Sequence, residues 1–230
     1  MRTKQHPDPT AGLQEPKTQR GRNTREQILS AARRLVTERW VDEVPFTELA
    51  EAAQVARASL LHAFGHWRNV LWDLFEEEAD LLDDAYERAR RLRRRHPSDR
   101  AFEMLAAVLD RADQTGLLYP NLRSAMATWR GEPTDAALEE TSPSVPLRRD
   151  VLAAWTRIRL QKHYEAVEEL LGVPADESLG DDEVRPAPLG ECLVHFTFDL
   201  AAGSASYFST LQERRDALRS CVESFSAGLG

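Results

Sequence analysis

Between Asn23 and Gly65 the chain carries three separate helical patterns in about forty residues, parted by only a few residues each. Helices this short are marginal on their own in water, so they must bury their apolar faces on one another. The first has Asn23 or Thr24 as a cap, with Glu26 and Gln27 three residues on, as in a capping box. Ile28, Ala32, Leu35, Val36 and Trp40 then recur at helical spacing. The second follows Pro45, which suits a first helical turn because its missing N–H would be unpaired there. Phe46, Leu49, Ala50 and Ala53 are its buried face. Gln54, Val55 and Ala56 separate it from a third helix, in which Leu60 and Phe64 face inward and which Gly65 ends. Three short helices with so brief a turn between the last two have the dimensions of a helix-turn-helix.

In such a unit the first two helices form an apolar platform and the third turns its polar side outward. A helix about 10–12 Å across fits a major groove about 12 Å wide. The outward residues here are Arg57, Ala58, Ser59, His62 and Ala63. Arg57 can donate to guanine or to a phosphate, and His62 to a base acceptor or a phosphate. Ser59 suits a phosphate oxygen, and Ala58 allows close approach and can touch a thymine methyl. The same pattern also fits an ordinary three-helix packing unit with a solvated face. Charge bears on the choice. The net charge is -8, yet residues 1–68 carry 11 Lys and Arg against 8 Asp and Glu, and the remainder 19 against 30. A mildly basic head on an acidic body suits a head that faces phosphates.

The rest of the chain reads as further helices. Residues 1–21, with three Pro, two Gly and few apolar residues, are expected to be a disordered basic arm. Lys17, Arg20, Arg22 and Arg25 lead from it into the first helix and suit phosphates or a minor groove, or form a solvated tail. A long helix is expected from about Asn69 to Arg95, acidic first and Arg-rich at its end, as the helix dipole favours. Ser98 is the expected cap of the next helix, to about Gln114, and a short one covers about Pro120 to Arg130. A loop at 131–146 precedes a helix from about Leu147 to Leu171, and a second Pro/Gly/Asp-rich segment at 172–188 precedes helices near 189–208 and 210–227. No run of period-two alternation argues for a strand. No stretch approaches the roughly 20 apolar residues of a membrane span, and no apolar segment follows the N-terminus as in a secretory signal. Cys192 and Cys221 lie far apart without metal-like spacing, which suits a reduced cytoplasmic protein.

The run TREQILSAARRL at 24–35 is similar to the first helix of the TetR family of bacterial transcriptional regulators. The run FTELAEAAQVARASLLHAF at 46–64 resembles that family's helix-turn-helix, and RNVL at 68–71 the start of its fourth helix. The resemblance covers about 24–75 and is specific in order, spacing and position. It implies an all-α fold: a helix-turn-helix DNA-binding domain at 22–68, then a helical ligand-binding and dimerisation domain at 69–230. The candidate DNA-binding set is Thr47, Arg57, Ala58, Ser59, His62 and Arg68. Several positions depart from the family. Gln54 stands where a turn Gly is usual, and a left-handed non-Gly residue costs about 1–2 kcal/mol. Ala56 replaces a capping Ser, a loss of about 1 kcal/mol. Leu61 and Ala63 replace a Tyr and a His that commonly touch phosphates, and Trp67 replaces a Lys, with Arg68 beside it.

The resemblance further implies a ligand pocket in the helical body, for which Met104, Tyr119, Met126, Trp129, Trp155 and Phe196 are candidates. Each also suits plain core packing; as a group they suit a large apolar or aromatic effector. The last two helices are expected to form the homodimer interface, with Ala201, Gly203 and Ala205 in a small-residue segment that permits close approach; the same Gly203 also suits a kink. The expected function is a ligand-responsive regulator, the family's usual mode being repression. It would bind palindromic operator DNA as a dimer and be released by a small molecule, with no cofactor and no catalysis.

Two rivals come from other classes. Glu191, His195 and Asp199 lie four apart on one helix face, a spacing that can ligate a metal or make a hydrogen-bonded network. His163, Tyr164 and Glu165 are adjacent and point apart, and no phosphate loop, nucleophile elbow or Cys–His arrangement occurs. A helical protein-binding module without specific DNA binding is the other rival. Cys192 and Cys221 would form a redox switch if adjacent; buried thiols are the default expectation.

Overall fold

The computed structural model describes residues 18–130, 149–173, 189–203, 208 and 210–228, the side chains of 127–130, 149–155, 157 and 158 excepted. The described residues form α-helices joined by short turns, with no strand among them. In order these are α1 (Gln19–Glu38), α2 (Phe46–Ala52), α3 (Arg57–Ala63), α4 (Trp67–Arg91), α5 (Pro97–Gln114), α6 (Leu118–Arg130), α7 (Arg149–Leu171), α8 (Leu189–Ala201) and α9 (Leu211–Ala227). The chain is all-α, as its periodicity requires. It divides into two compact units, residues 1–75 with 124–156 and residues 76–123 with 157–230.

The first unit is built on α1. Its cap lies five or six residues earlier than the sequence suggests: the Thr18 hydroxyl accepts from the Gly21 N–H at 3.1 Å. The residues expected to cap are spent inside the helix instead. The Thr24 hydroxyl donates back to the Arg20 carbonyl at 3.0 Å, and the Asn23 side chain accepts from Gln19. Ile28, Ala31, Ala32 and Val36 of α1 are buried with Leu49 and Ala50 of α2 and Leu60 of α3. Burying each large aliphatic side chain stabilises by about 1.5–3 kcal/mol, and the alanines let three backbones approach closely.

In the second unit α5 packs against α8 and α9, and α8 against α9. Its α5 core face is Ala101, Phe102, Met104, Leu105, Val108, Leu109 and Ala112. The α5 start differs from expectation. His96 is the cap, its ring accepting from the Ser98 N–H at 3.3 Å, and Pro97 takes the first helical turn. Pro97 belongs there because it has no N–H to leave unpaired. The α9 start carries a full capping box, Thr210 and Glu213 each accepting from the other's backbone. α8 ends at Ala201, seven residues short of the expected end, because Gly203 takes a left-handed φ of 64°.

Candidate nucleic-acid interface

The turn between α2 and α3 decides how α3 is presented. The Val55 N–H donates to the Ala50 carbonyl and the Gln54 N–H to the Glu51 carbonyl, each at 3.0 Å. Those two bonds are a Schellman motif, which needs a left-handed residue just past the helix. Gln54 supplies it at φ 55°, the one non-glycine residue with positive φ among the described residues. The departure from glycine therefore leaves the turn intact and stores strain in it. At the other side of the turn Ala56 has extended backbone and no side-chain cap, so the first N–H groups of α3 receive no side-chain acceptor from it.

α3 turns Leu60 and Phe64 into the core and leaves Arg57, Ala58, Ser59, Leu61 and His62 exposed. Thr47 is exposed in the first turn of α2. Arg68 is half-buried, and its N–H donates to His66 Nδ1 at 3.1 Å. Beside α3 runs a cleft of about 580 Å³, lined by Arg20, Asn23 and Gln27 of α1, by Gln54, and by Ser59. Thr24 and the apolar Val55 and Ala56 complete its lining, so most side chains along it are polar hydrogen-bonding groups with one guanidinium, and no carboxylate is among them.

What holds α3 in place includes residues that the sequence assigned elsewhere. Arg25, read there as part of a basic stretch for phosphates, pairs with Asp73 of α4 and lies 4.6 Å over the Phe64 ring. The Asn69 side-chain amide donates to the Phe64 carbonyl at 2.5 Å, satisfying the end of α3. The Trp67 indole N–H donates to the Val44 carbonyl at 2.8 Å, and its ring meets Phe46 edge-on. Trp67 thus anchors the platform, which accounts for a bulky aromatic where the resemblance leads one to expect a Lys. Sequence periodicity flagged neither Asn69 nor Asp73, because each acts through a partner in another element.

The body residues separate. Met104 and Tyr119 are buried and Phe196 half-buried in the second unit, while Met126 is buried in the first. The side chains of Trp129 and Trp155 lie outside the described residues. Tyr119 is not a bare apolar wall: its hydroxyl donates to Glu78 at 3.1 Å. Glu78, 1% exposed, also accepts a forked pair from Arg111 at 3.2 and 3.3 Å. A buried carboxylate is tolerable only when its lone pairs are used in this way. Sequence reasoning missed it, since nothing in an α4 acidic run marks which carboxylate turns inward.

Along α4, Glu76, Asp80 and Asp83 share one face, and Arg159 of α7 reaches all three at 3.0, 2.5 and 3.1 Å. Burial raises the Glu76 carboxyl above its usual value, with Arg159 opposing. His163, 1% exposed, bonds Asp83 through Nε2 at 2.9 Å, and its buried Nδ1 has no partner. Burial holds its pKa below the ordinary imidazole value.

The proposed metal face does not assemble. Asp199 pairs with Arg123, His195 bonds the Tyr164 hydroxyl at 2.9 Å, and Glu191 stands 3.8 Å from His195. Among the described residues no group of three or more His, Cys, Asp or Glu can hold a metal ion. Cys192 is exposed rather than buried, and burial, with Cys192 as a smaller second cause, raises the thiol pKa of the half-buried Cys221. Ala201 is buried within its own chain, Gly203 is exposed, and Ala205 lies outside the described residues. No described helix is long and apolar enough to cross a membrane.

The sequence matches no family model and no curated protein. Solved structures do match. A TetR transcriptional regulator from Rhodococcus sp. RHA1 is 14% identical, with 92% of this chain and 100% of that chain covered at a TM-score of 0.52. FadR of Thermus thermophilus, a TetR-family repressor solved with lauroyl-CoA, is 21% identical over 86% and 93% at 0.51. AibR, solved with isovaleryl coenzyme A and operator DNA, is 15% identical over 85% and 96% at 0.52. Most of the length of each chain is spanned, and the fold of this chain is that of the TetR-family transcriptional regulators.

Proposed function

We propose that this chain is a ligand-responsive transcriptional regulator of the TetR family, acting as a repressor on palindromic operator DNA. The observation that carries the reading is α3. It is held by Trp67, Asn69 and the left-handed Gln54 turn with Arg57, Ala58, Ser59 and His62 exposed. Arg57 and His62 are assigned to base edges, Thr47, Ser59 and Arg68 to phosphates, and the polar cleft beside α1 to the phosphate backbone. Dimerisation follows from geometry, since two recognition helices must reach half-sites about 34–36 Å apart or a multiple of that. Gly203 at the end of α8 and α9 are the surfaces assigned to it. The protein works in the cytoplasm and is not an enzyme.

Met104, Tyr119 and Phe196, all in the second unit, are assigned to an apolar effector site. AibR and FadR were each solved with an acyl-coenzyme A, so acyl thioesters are the first class to screen against it. Effector binding would favour a dimer geometry in which the two heads no longer match the half-site spacing.

The test is selection of purified protein on a randomised duplex library, followed by titration of the selected duplex at two salt concentrations. A palindromic consensus bound at about 10⁻⁸ M or tighter, weakening as salt rises, is the expected result. No enrichment, or only sequence-independent binding, refutes the proposal.

A further inference from the structure

We infer that Leu61 is a base-reading residue of α3 and that it reads the C5-methyl group of a thymine in the major groove. This rests on the DNA-binding reading above and narrows it. Arg57, Ala58, Leu61 and His62 recur at the first, second, fifth and sixth positions of one helical stretch, and all four are exposed. Residues three and four apart on a helix share a face, so the four form one outward stripe. Leu61 is 39% exposed, whereas Leu49 and Leu60 beside it in the same unit are fully buried. Single exposed leucines are common and mean little alone. What matters is where this one stands. It lies one turn beyond Ala58, which brings no polar group, and between Arg57 and His62, which bring donors.

The stripe therefore presents a donor, an apolar centre and a second donor. Thymine is the base whose major-groove edge offers a methyl group, while guanine offers two acceptors of the kind Arg57 engages. Adenine, guanine or cytosine opposite Leu61 would have a polar edge stripped of water with nothing to bond, which costs binding. A leucine side chain has no donor for a phosphate, so a role in backbone anchoring is excluded by its chemistry. Arg57 and Leu61 are one turn apart, about 6 Å along the helix. With base pairs about 3.4 Å apart, the thymine lies within about two base pairs of the base that Arg57 reads.

The experiment replaces thymidine by deoxyuridine, one position at a time, in the duplex selected from the randomised library. This removes the methyl and leaves the pairing edge unchanged. Wild-type protein is expected to bind about fourfold more weakly at one such position, the effect of one buried methyl. The variant Leu61→Ala is expected to bind the thymidine and deoxyuridine duplexes alike there. Circular dichroism of the variant confirms that the helices are kept, as a surface substitution should allow. Wild-type protein indifferent to deoxyuridine at every position overturns the inference, as does a penalty that Leu61→Ala retains in full. A library that yields no consensus overturns the DNA-binding reading itself and this inference with it, so the two failures are told apart.

Discussion

Gln54 shows how a single residue can preserve a motif while weakening it. Its backbone sits at φ 55°, where a side chain crowds the following carbonyl. The strain is about 1–2 kcal/mol, and glycine would relieve it at the expense of added freedom in the unfolded chain. Gln54→Gly is therefore expected to stabilise the protein by about 0.5–1 kcal/mol, read as a higher denaturant midpoint. Gln54→Val, with a branched carbon, should lower it. His163 governs a pH effect. Burial, and the nearby Arg159 and Lys162, depress its pKa, while Asp83 opposes them. In the unfolded chain the ring takes up its proton as pH falls through about 6.5; in the folded chain it does so only at lower pH. The unfolded state thus binds more protons in that interval. The contribution is fully present above about 6.5 and is lost as pH falls toward the folded value. Glu76 has the opposite sign, since its raised carboxyl takes up a proton in the folded state first. The check is the difference in unfolding free energy between the wild type and His163→Asn, in which Glu76 largely cancels. That difference should shrink in favour of the variant between pH 7.5 and about 5.5.

At the scale of elements, the packing of α8 against α7 depends on one missing methyl. A Cβ on Gly190 would come within 2.1 Å of the Tyr164 carbonyl oxygen, and that neighbour is backbone. The Gly190 N–H also donates to the Glu168 carboxylate at 3.1 Å. Gly190→Ala must push the two helices apart, and overpacking of this kind costs about 1–3 kcal/mol. Thermal unfolding of the variant checks it, and an unchanged midpoint would refute the close approach. α9 is tied to α5 by charge laid on an aromatic. Arg214 pairs with Asp113 at 3.3 Å, Arg219 with Asp99 at 3.1 Å, and Arg215 with Asp110. The Arg219 guanidinium also lies 3.9 Å from the centre of the Phe102 ring. The ion pairs are half-exposed, and such pairs contribute about 0–1 kcal/mol each; the ring contact adds about 0.5–1 kcal/mol. Arg219→Ala is expected to lose about 1 kcal/mol in urea unfolding. Part of the loss should persist in high salt, because the ring contact also rests on the packing of the side-chain stem.

At the scale of the whole molecule, assembly and response are linked through the spacing of the two heads. The proposed reading of a palindrome calls for a dimer, and sedimentation of the purified protein at micromolar concentration is expected to give twice the mass of the 26.0 kDa chain. A stable monomer across that range would leave the half-site geometry without a basis. An acyl-coenzyme A that lowers affinity for the selected duplex should bind less tightly, by the same factor, to the DNA-bound protein, since linkage is reciprocal.

The residues of the sequence were enough for the helical class, the order of the three short helices and the inward faces of α2 and α3. Leu49, Ala50, Leu60 and Phe64 are buried where their spacing places them. That much is local: apolar period, breakers and turns act within a few residues, whereas the strain at Gln54 is legible only through the resemblance, which leads one to expect glycine there. Helix ends were less legible. α1 starts at Gln19 because Thr18 wins the cap, while Thr24 bonds back within the helix; both are polar residues of the same type, and only packing ranks them. The partners across elements were not legible at all. Arg25, which suits phosphate or solvent by its place in a basic stretch, is taken by Asp73; nothing in the sequence marks Glu78 or His163 as buried, and both are. Periodicity tells which side of a helix is apolar. Which charge finds its mate, and which is left facing outward, depends on distances between segments that the chain sets only when it folds.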